Sequence, residues 1–176
     1  MLDIVILAAG KGTRMQSSLP KVLHPIAGKP LLEHVIQTAK TLEHASINII
    51  VGHGAERIKS VLPSHQYILQ EQQLGTGHAV QQALPYLSEN SISLILYGDV
   101  PLIKTETLKR LVAAVDANSL GLLTVSLDNP QGYGRIVRDA AGKVEAIVEE
   151  KDALEDQLSI AEVNIVLEIL SGTRSG

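Results

Sequence analysis

The stretch that most constrains this chain is Ile4-Val5-Ile6-Leu7-Ala8-Ala9-Gly10-Lys11-Gly12-Thr13-Arg14-Met15, with Leu19-Pro20-Lys21-Val22-Leu23 close behind. The apolar residues Ile4 to Leu7 predict a short buried strand. Small Ala8 and Ala9 let another group approach the backbone, and Gly10 and Gly12 permit a turn that side chains would block. Backbone N–H groups in such a loop can point at an anion, while Lys11, Arg14 and Lys21 supply the charge that phosphate oxygens need. The segment therefore predicts a nucleotide site.

Spacing separates this loop from two well-known phosphate loops. A dinucleotide fingerprint needs a glycine where Met15 stands, and a Walker A loop needs one where Val5 or Leu23 stands. Composition narrows the rest. A length of 176 residues, 45% of them hydrophobic, suffices for one domain with a core, and no apolar run is long enough to cross a bilayer. With no cysteine and no basic-then-apolar leader after Met1, a soluble, cytoplasmic protein without a membrane partner is expected. A net charge of −4 and 2% aromatic residues argue against a nucleic-acid surface, yet leave room for a local basic pocket. None of the six histidines stands in a metal-ligand motif, and His24 and His78 read as packing or hydrogen-bonding residues of their loops.

Along the chain, Pro30 can open a helix that carries Leu31, Leu32, Val35, Ile36 and Ala39 on one face. Ile47 to Val51 predicts a buried strand ended by Gly52-His53-Gly54, and Ala55 to Leu62 a helix stopped by Pro63. Tyr67 to Leu69 is a brief strand. A polar loop follows, and Thr76 is placed to cap a helix running to Leu87. Ser93 to Tyr97 is the next strand, with Gly98-Asp99-Val100-Pro101-Leu102 at its end. An aspartate there can be a turn former, but the carboxyl end of a strand in an open α/β sheet is also where ligands bind, so Asp99 is placed to hold Mg²⁺ beside phosphates.

Thr105 to Ala117 has helical periodicity and Leu120 to Ser126 reads as a strand. The alternation predicts a parallel, doubly wound α/β sheet. The pattern then changes to two strands, Gly132 to Arg138 and Lys143 to Glu149, joined by a Gly-containing turn as a hairpin over the sheet edge. Glu150 to Ala153 is a charged loop, and Ile160 to Leu170 can supply a final strand. No linker divides the chain, so a single domain is expected.

Taken in order, LAAGKGTRM, LPKVLH, LQEQQLGTGHA, YGDVPL, GYGRIVR, AIVEEKDA and EVN resemble the sugar-nucleotide pyrophosphorylases. More specifically, they resemble the bacterial bifunctional N-acetylglucosamine-1-phosphate uridyltransferase / glucosamine-1-phosphate acetyltransferase family, from residue 3 to about residue 164. The resemblance implies a Rossmann-like nucleotide-diphospho-sugar transferase fold, mostly parallel with helices on both faces and the hairpin over the sugar site. It implies uridylyl transfer from UTP to N-acetylglucosamine 1-phosphate, giving UDP-N-acetylglucosamine and pyrophosphate, with Mg²⁺ as cofactor. By motif, Leu7, Ala8, Ala9 and Gly10 would line the uridine, and Gln70 with Gly75 and Thr76 would read the uracil edge. Arg14 and Lys21 would be the catalytic cations on the triphosphate, and Asp99 the metal ligand. Tyr97 and Gly98 would border the sugar, and Gly134, Glu149 and Asn164 would contact it.

The pattern departs from the family after Asn164, where Ile165-Val166 stands in place of Thr-Gly. On this resemblance the rest of the nucleotidyltransferase domain, with its second metal ligand, and the trimer-forming acetyltransferase β-helix are expected to be absent. Two function classes follow: a uridylyltransferase core, or a fragment that binds UTP or UDP-sugar with little turnover. A third is a relative acting on another sugar or alcohol phosphate, such as a cytidylyltransferase, against which Gln70 and Gly75-Thr76 favour uracil.

Overall fold

The computed structural model describes residues 1–10, 17–89, 91–115 and 120–171, with the backbone alone from 165 to 171. Two compact units make up the chain: Met1–Gly121 together with the return from Glu168, and Leu122–Leu167.

The first unit is built on β1 (Leu2–Ala8). A 3-10 turn at Lys21–Leu23 and a ribbon of β2 (Pro25–Ile26) with β3 (Lys29–Pro30) lead to α1 (Leu31–Lys40). Then come β4 (Ala45–Val51), α2 (Ala55–Val61), β5 (Gln66–Leu69), α3 (Thr76–Ala83), β6 (Ile92–Tyr97) and α4 (Thr105–Ala113). The expected alternation is therefore present. The four long-range partners run parallel in the order β5-β4-β1-β6, with Ile6 of β1 opposite Ile49 on one side and Leu96 on the other.

β1 is apolar on both faces because both are covered. Val5 and Leu7 join Ile50, Ile68 and Ile95 in a core closed by Ala79, Val80 and Ala83 of α3. Ile4 and Ile6 point the other way by strand alternation and are equally buried. On α1, which contacts β1 and β4, Leu32, Val35, Ile36 and Ala39 are the buried stripe, at the spacing that one helix face requires.

The amino end of β1 is tied down by Asp3, which is fully buried. Its carboxylate accepts hydrogen bonds from the Ser46 hydroxyl, from Ser88 N–H at 2.7 Å and from the Ser91 hydroxyl at 2.5 Å. Burial alone would raise the Asp3 pKa, but these donors, Ser46 and Ser91 foremost, outweigh it and hold the carboxyl below its ordinary value.

The second unit holds most of β7 (Leu120–Ser126), then β8 (Arg135–Arg138), β9 (Val144–Val148), the short α5 (Glu155–Leu158) and the start of β10 (Glu162–Ser171). β8 and β9 form the expected hairpin, Ile136 opposite Ile147. Glu162 is gripped by Arg138 Nε and Nη2 at 2.7 and 2.6 Å and by the Thr124 hydroxyl at 2.6 Å. The Arg138 fork, then Thr124, hold its carboxyl down at about 2. In the first unit, Glu168 to Ser171 of β10 pair antiparallel with β6.

Several details differ from the sequence reading. α3 ends at Ala83 and a 3-10 turn takes over at Leu84–Tyr86, where one helix running to Leu87 was expected. Thr76 is the first residue of α3 rather than its cap; Gly75 precedes the helix at φ 100, a conformation that favours glycine. α4 ends at Ala113, so the helix expected to Ala117 stops a turn early, and 116–119 lie outside the described residues. The final strand begins at Glu162 instead of Ile160. Among the described residues no helix is long and apolar enough to cross a membrane.

Candidate nucleotide site

The chain passes from β1 to β4 and β5 on one side, then returns to place β6 on the other. The strand order reverses at β1, and the crevice outside the carboxyl ends of parallel strands at such a reversal is open to ligands because the outgoing loops part there. A cavity of about 530 Å³ lies at that place, within the usual range for a small-molecule site.

Leu7, Ala8, Ala9 and Gly10 line it from the end of β1. Lys21 enters from the 3-10 turn, Gln70 and Gly75 from the loop after β5, Thr76 from the start of α3, and Tyr97 and Asp99 from the end of β6. Ten of the residues singled out in the sequence thus meet around one space. Val22, Gln73 and Ala79 also line it and had not been singled out. A signal for Gln73 exists in Gly52: a Cβ there would stand 2.7 Å from Gln73 Nε2, so the missing side chain makes the room.

Gly98 is not in the lining. Its N–H donates to Leu7 O at 2.9 Å, and a Cβ on it would meet Leu32 Cδ1 at 3.1 Å and Leu7 O at 3.2 Å. It lets the ends of β1 and β6 close up, and so sets where Asp99 emerges. Pro20 has a similar part. A Cβ on Gly54 would lie 2.5 Å from Pro20 Cγ, and Gly54 has φ 77. Pro20 therefore packs on a glycine surface directly before the turn that carries Lys21.

Among the described residues, the charge lining the cavity is one pair. Lys21 Nζ donates to Asp99 Oδ2 at 2.6 Å, with the side chains 46% and 25% exposed. Among the described residues no group of three or more His, Cys, Asp or Glu could hold a metal ion. A lone carboxylate still suits Mg²⁺, which keeps several waters and takes phosphate oxygens with one or two carboxylates. Arg14, with Lys11, lies outside the described residues.

In the second unit the hairpin gathers three further residues. Asn164 N–H donates to Gly134 O at 3.2 Å. A Cβ on Gly134 would meet Ile147 Cγ2 at 3.2 Å and Glu149 Oε1 at 3.9 Å, so the glycine leaves the backbone open beside that carboxylate.

Comparison with known proteins bears on both units. Residues 4–158 match the family described as the MobA-like NTP transferase domain. The chain is 58% identical over 175 residues to the bifunctional protein GlmU of Paraburkholderia phymatum, covering 98% of this chain and 39% of that protein. It is also 58% identical over 177 residues to GlmU of Stutzerimonas stutzeri, covering 99% and 39%. The chain thus spans about two fifths of the length of these relatives. Among solved structures, HddC from Yersinia pseudotuberculosis complexed with GMP-PN superposes with a TM-score of 0.69 at 25% identity, over 97% of this chain and 77% of that one.

Proposed function

The chain belongs to the MobA-like NTP transferase domain family, and from that membership we propose that it is the uridylyl-transferring core of a UDP-N-acetylglucosamine pyrophosphorylase. The observation that carries this reading is the cavity at the strand reversal, where an amide and a glycine turn that suit a base share one space with a cation and a carboxylate that suit phosphates. The high identity to GlmU proteins supports the choice of substrates.

In this reading UTP lies along Leu7 to Gly10, with its base toward Gln70, Gly75 and Thr76. A phosphate oxygen of N-acetylglucosamine 1-phosphate attacks the α-phosphorus of UTP. The new O–P bond forms as the bond to the β-phosphate oxygen breaks, and its electron pair leaves on pyrophosphate. No covalent enzyme group is needed. The chain's task is to position both phosphates and to meet the charge that grows on the leaving group. Lys21 supplies part of that charge, and Arg14 is proposed to supply more. Asp99 would hold Mg²⁺, which when bound would polarise the phosphate oxygens. For this to happen Lys21 must turn from Asp99 toward the nucleotide, and the arriving triphosphate gives it a stronger anion to face. Tyr97 and Gly98 are proposed to border the sugar phosphate in the first unit. Gly134, Glu149 and Asn164 in the second offer an open backbone, a carboxylate and an amide suited to sugar hydroxyls and an acetamido group.

The test is pyrophosphate release by the purified chain with UTP, N-acetylglucosamine 1-phosphate and Mg²⁺, beside a UTP titration of the same sample. Release that saturates in both substrates supports the proposal. UTP binding without release would make the chain a nucleotide-binding unit instead.

A further inference from the structure

Gln70 is buried to 3% exposure yet borders the cavity, and its backbone N–H is fixed to Val51 O at 2.7 Å. Its side-chain amide is held from two directions. Nε2 donates to Gly75 O at 3.2 Å and lies 2.9 Å from His78 Nδ1. A carbonyl oxygen can only accept, so the amide end facing Gly75 must be the NH₂. Its second N–H then faces the ring of His78, which can receive it only on a bare Nδ1. The ring proton is thereby placed on Nε2, where the Gln82 amide nitrogen, 3.3 Å away and donating to His78 O at 3.4 Å, is a second donor and makes no hydrogen bond to it.

With both N–H groups engaged, the carbonyl oxygen is what Gln70 has left to offer a ligand. An acceptor there matches the N3–H of uracil and opposes cytosine, whose N3 carries a lone pair. Gly75 and His78 together choose that orientation. Without His78, one buried N–H of Gln70 loses its partner and Gly75 O alone is left to hold the direction of the amide. We infer that His78 is a positioning residue that gives the site its choice of uracil over cytosine by fixing the Gln70 amide. The inference rests on the uridine reading above.

The test titrates the full chain and its His78→Leu and His78→Asn variants with UTP and with CTP. The wild type should bind UTP more tightly than CTP. In His78→Leu that preference should fall by about tenfold, the cost of one unpaired buried donor, and in His78→Asn it should return, because an asparagine oxygen can stand where Nδ1 stood. A His78→Leu protein that keeps the wild-type preference, or an Asn variant no better than Leu, overturns the inference and leaves the uridine reading intact. A wild type with no preference overturns both. Independently of any variant, the ¹⁵N shifts of the wild-type His78 ring at neutral pH should show a bare Nδ1 and a protonated Nε2, and the opposite tautomer would also overturn it.

Discussion

One strand, β1, has a carboxylate at work near each end, and the two are treated in opposite ways. At the amino end Asp3 is buried and saturated with donors from Ser46, Ser88 and Ser91, none of them charged. At the carboxyl end Asp99 is a quarter exposed, faces a cavity and is paired, among the described residues, with the part-exposed cation of Lys21. A carboxylate whose lone pairs are all taken can only hold the fold together. One whose partner is a solvated lysine can exchange that partner for a metal or a phosphate-bound cation at small cost, because an exposed ion pair contributes about 1 kcal/mol or less. On the proposed function, that contrast gives stability to one end of the sheet and chemistry to the other.

The sharpest way to break that contrast is Asp99→Asn. Pyrophosphate release should fall by about 1000-fold, while the thermal midpoint moves by no more than about 4 °C. A large loss of stability would mean that Asp99 belongs with Asp3. Lys21→Ala comes next, with a fall in turnover of about 100-fold. Its far-UV circular dichroism should stay that of the parent, and an unfolded variant would make the lysine structural.

Asp3→Asn should do the reverse. It replaces acceptors by donors opposite the serine hydroxyls and should cost about 2 kcal/mol of stability in a urea titration, with UTP affinity unchanged in the protein that remains folded. Reduced affinity at full stability would show that the two ends are coupled.

The smallest effect sharpens the contrast from the second unit. Glu162 resembles Asp3 in accepting several hydrogen bonds but Asp99 in having a cation among its partners. Its carboxyl is lowered from 4.5 to about 2 on folding, so its contribution is complete above pH 4.5 and is lost as the pH falls toward about 2. Asp3, lowered from 3.8, adds acid sensitivity of the same sign. Glu162→Gln should therefore flatten the fall of the thermal midpoint across that window by about 2–4 °C, and an unchanged slope would leave Asp3 as the main source of acid lability.

Much of this was legible from local patterns. Ile4 to Leu7, apolar on both faces, and Ile47 to Val51, apolar but for the buried Asn48, prove to be inner strands with helices over them. The expected strand Leu120–Ser126 and the hairpin at Arg135–Arg138 and Val144–Val148 are present. Ten predicted site residues border one cavity, since in a parallel sheet every loop that leaves a carboxyl end opens on the same side. Less legible were Thr76, where a good capping residue is displaced by the positive φ of Gly75, and Gln73, whose place depends on the absent side chain of Gly52. The break into two compact units was also not visible, because Leu120 and Gly121 lead into Leu122 without any change of composition that marks a linker.

By itself, then, the sequence determined the order of strands and helices, the buried faces, and the loops that border the cavity. Those properties arise from hydrophobic period and turn residues, which act between neighbours a few positions apart. Only the tertiary structure decided that Lys21 meets Asp99, that Asp3 collects Ser46, Ser88 and Ser91, and that His78 sets the direction of the Gln70 amide. The first two join residues far apart in the chain, and the third, though local, depends on which way a side chain turns once a helix has started. No spacing rule encodes either; they are settled when strands align in register and each buried donor or acceptor must find a partner.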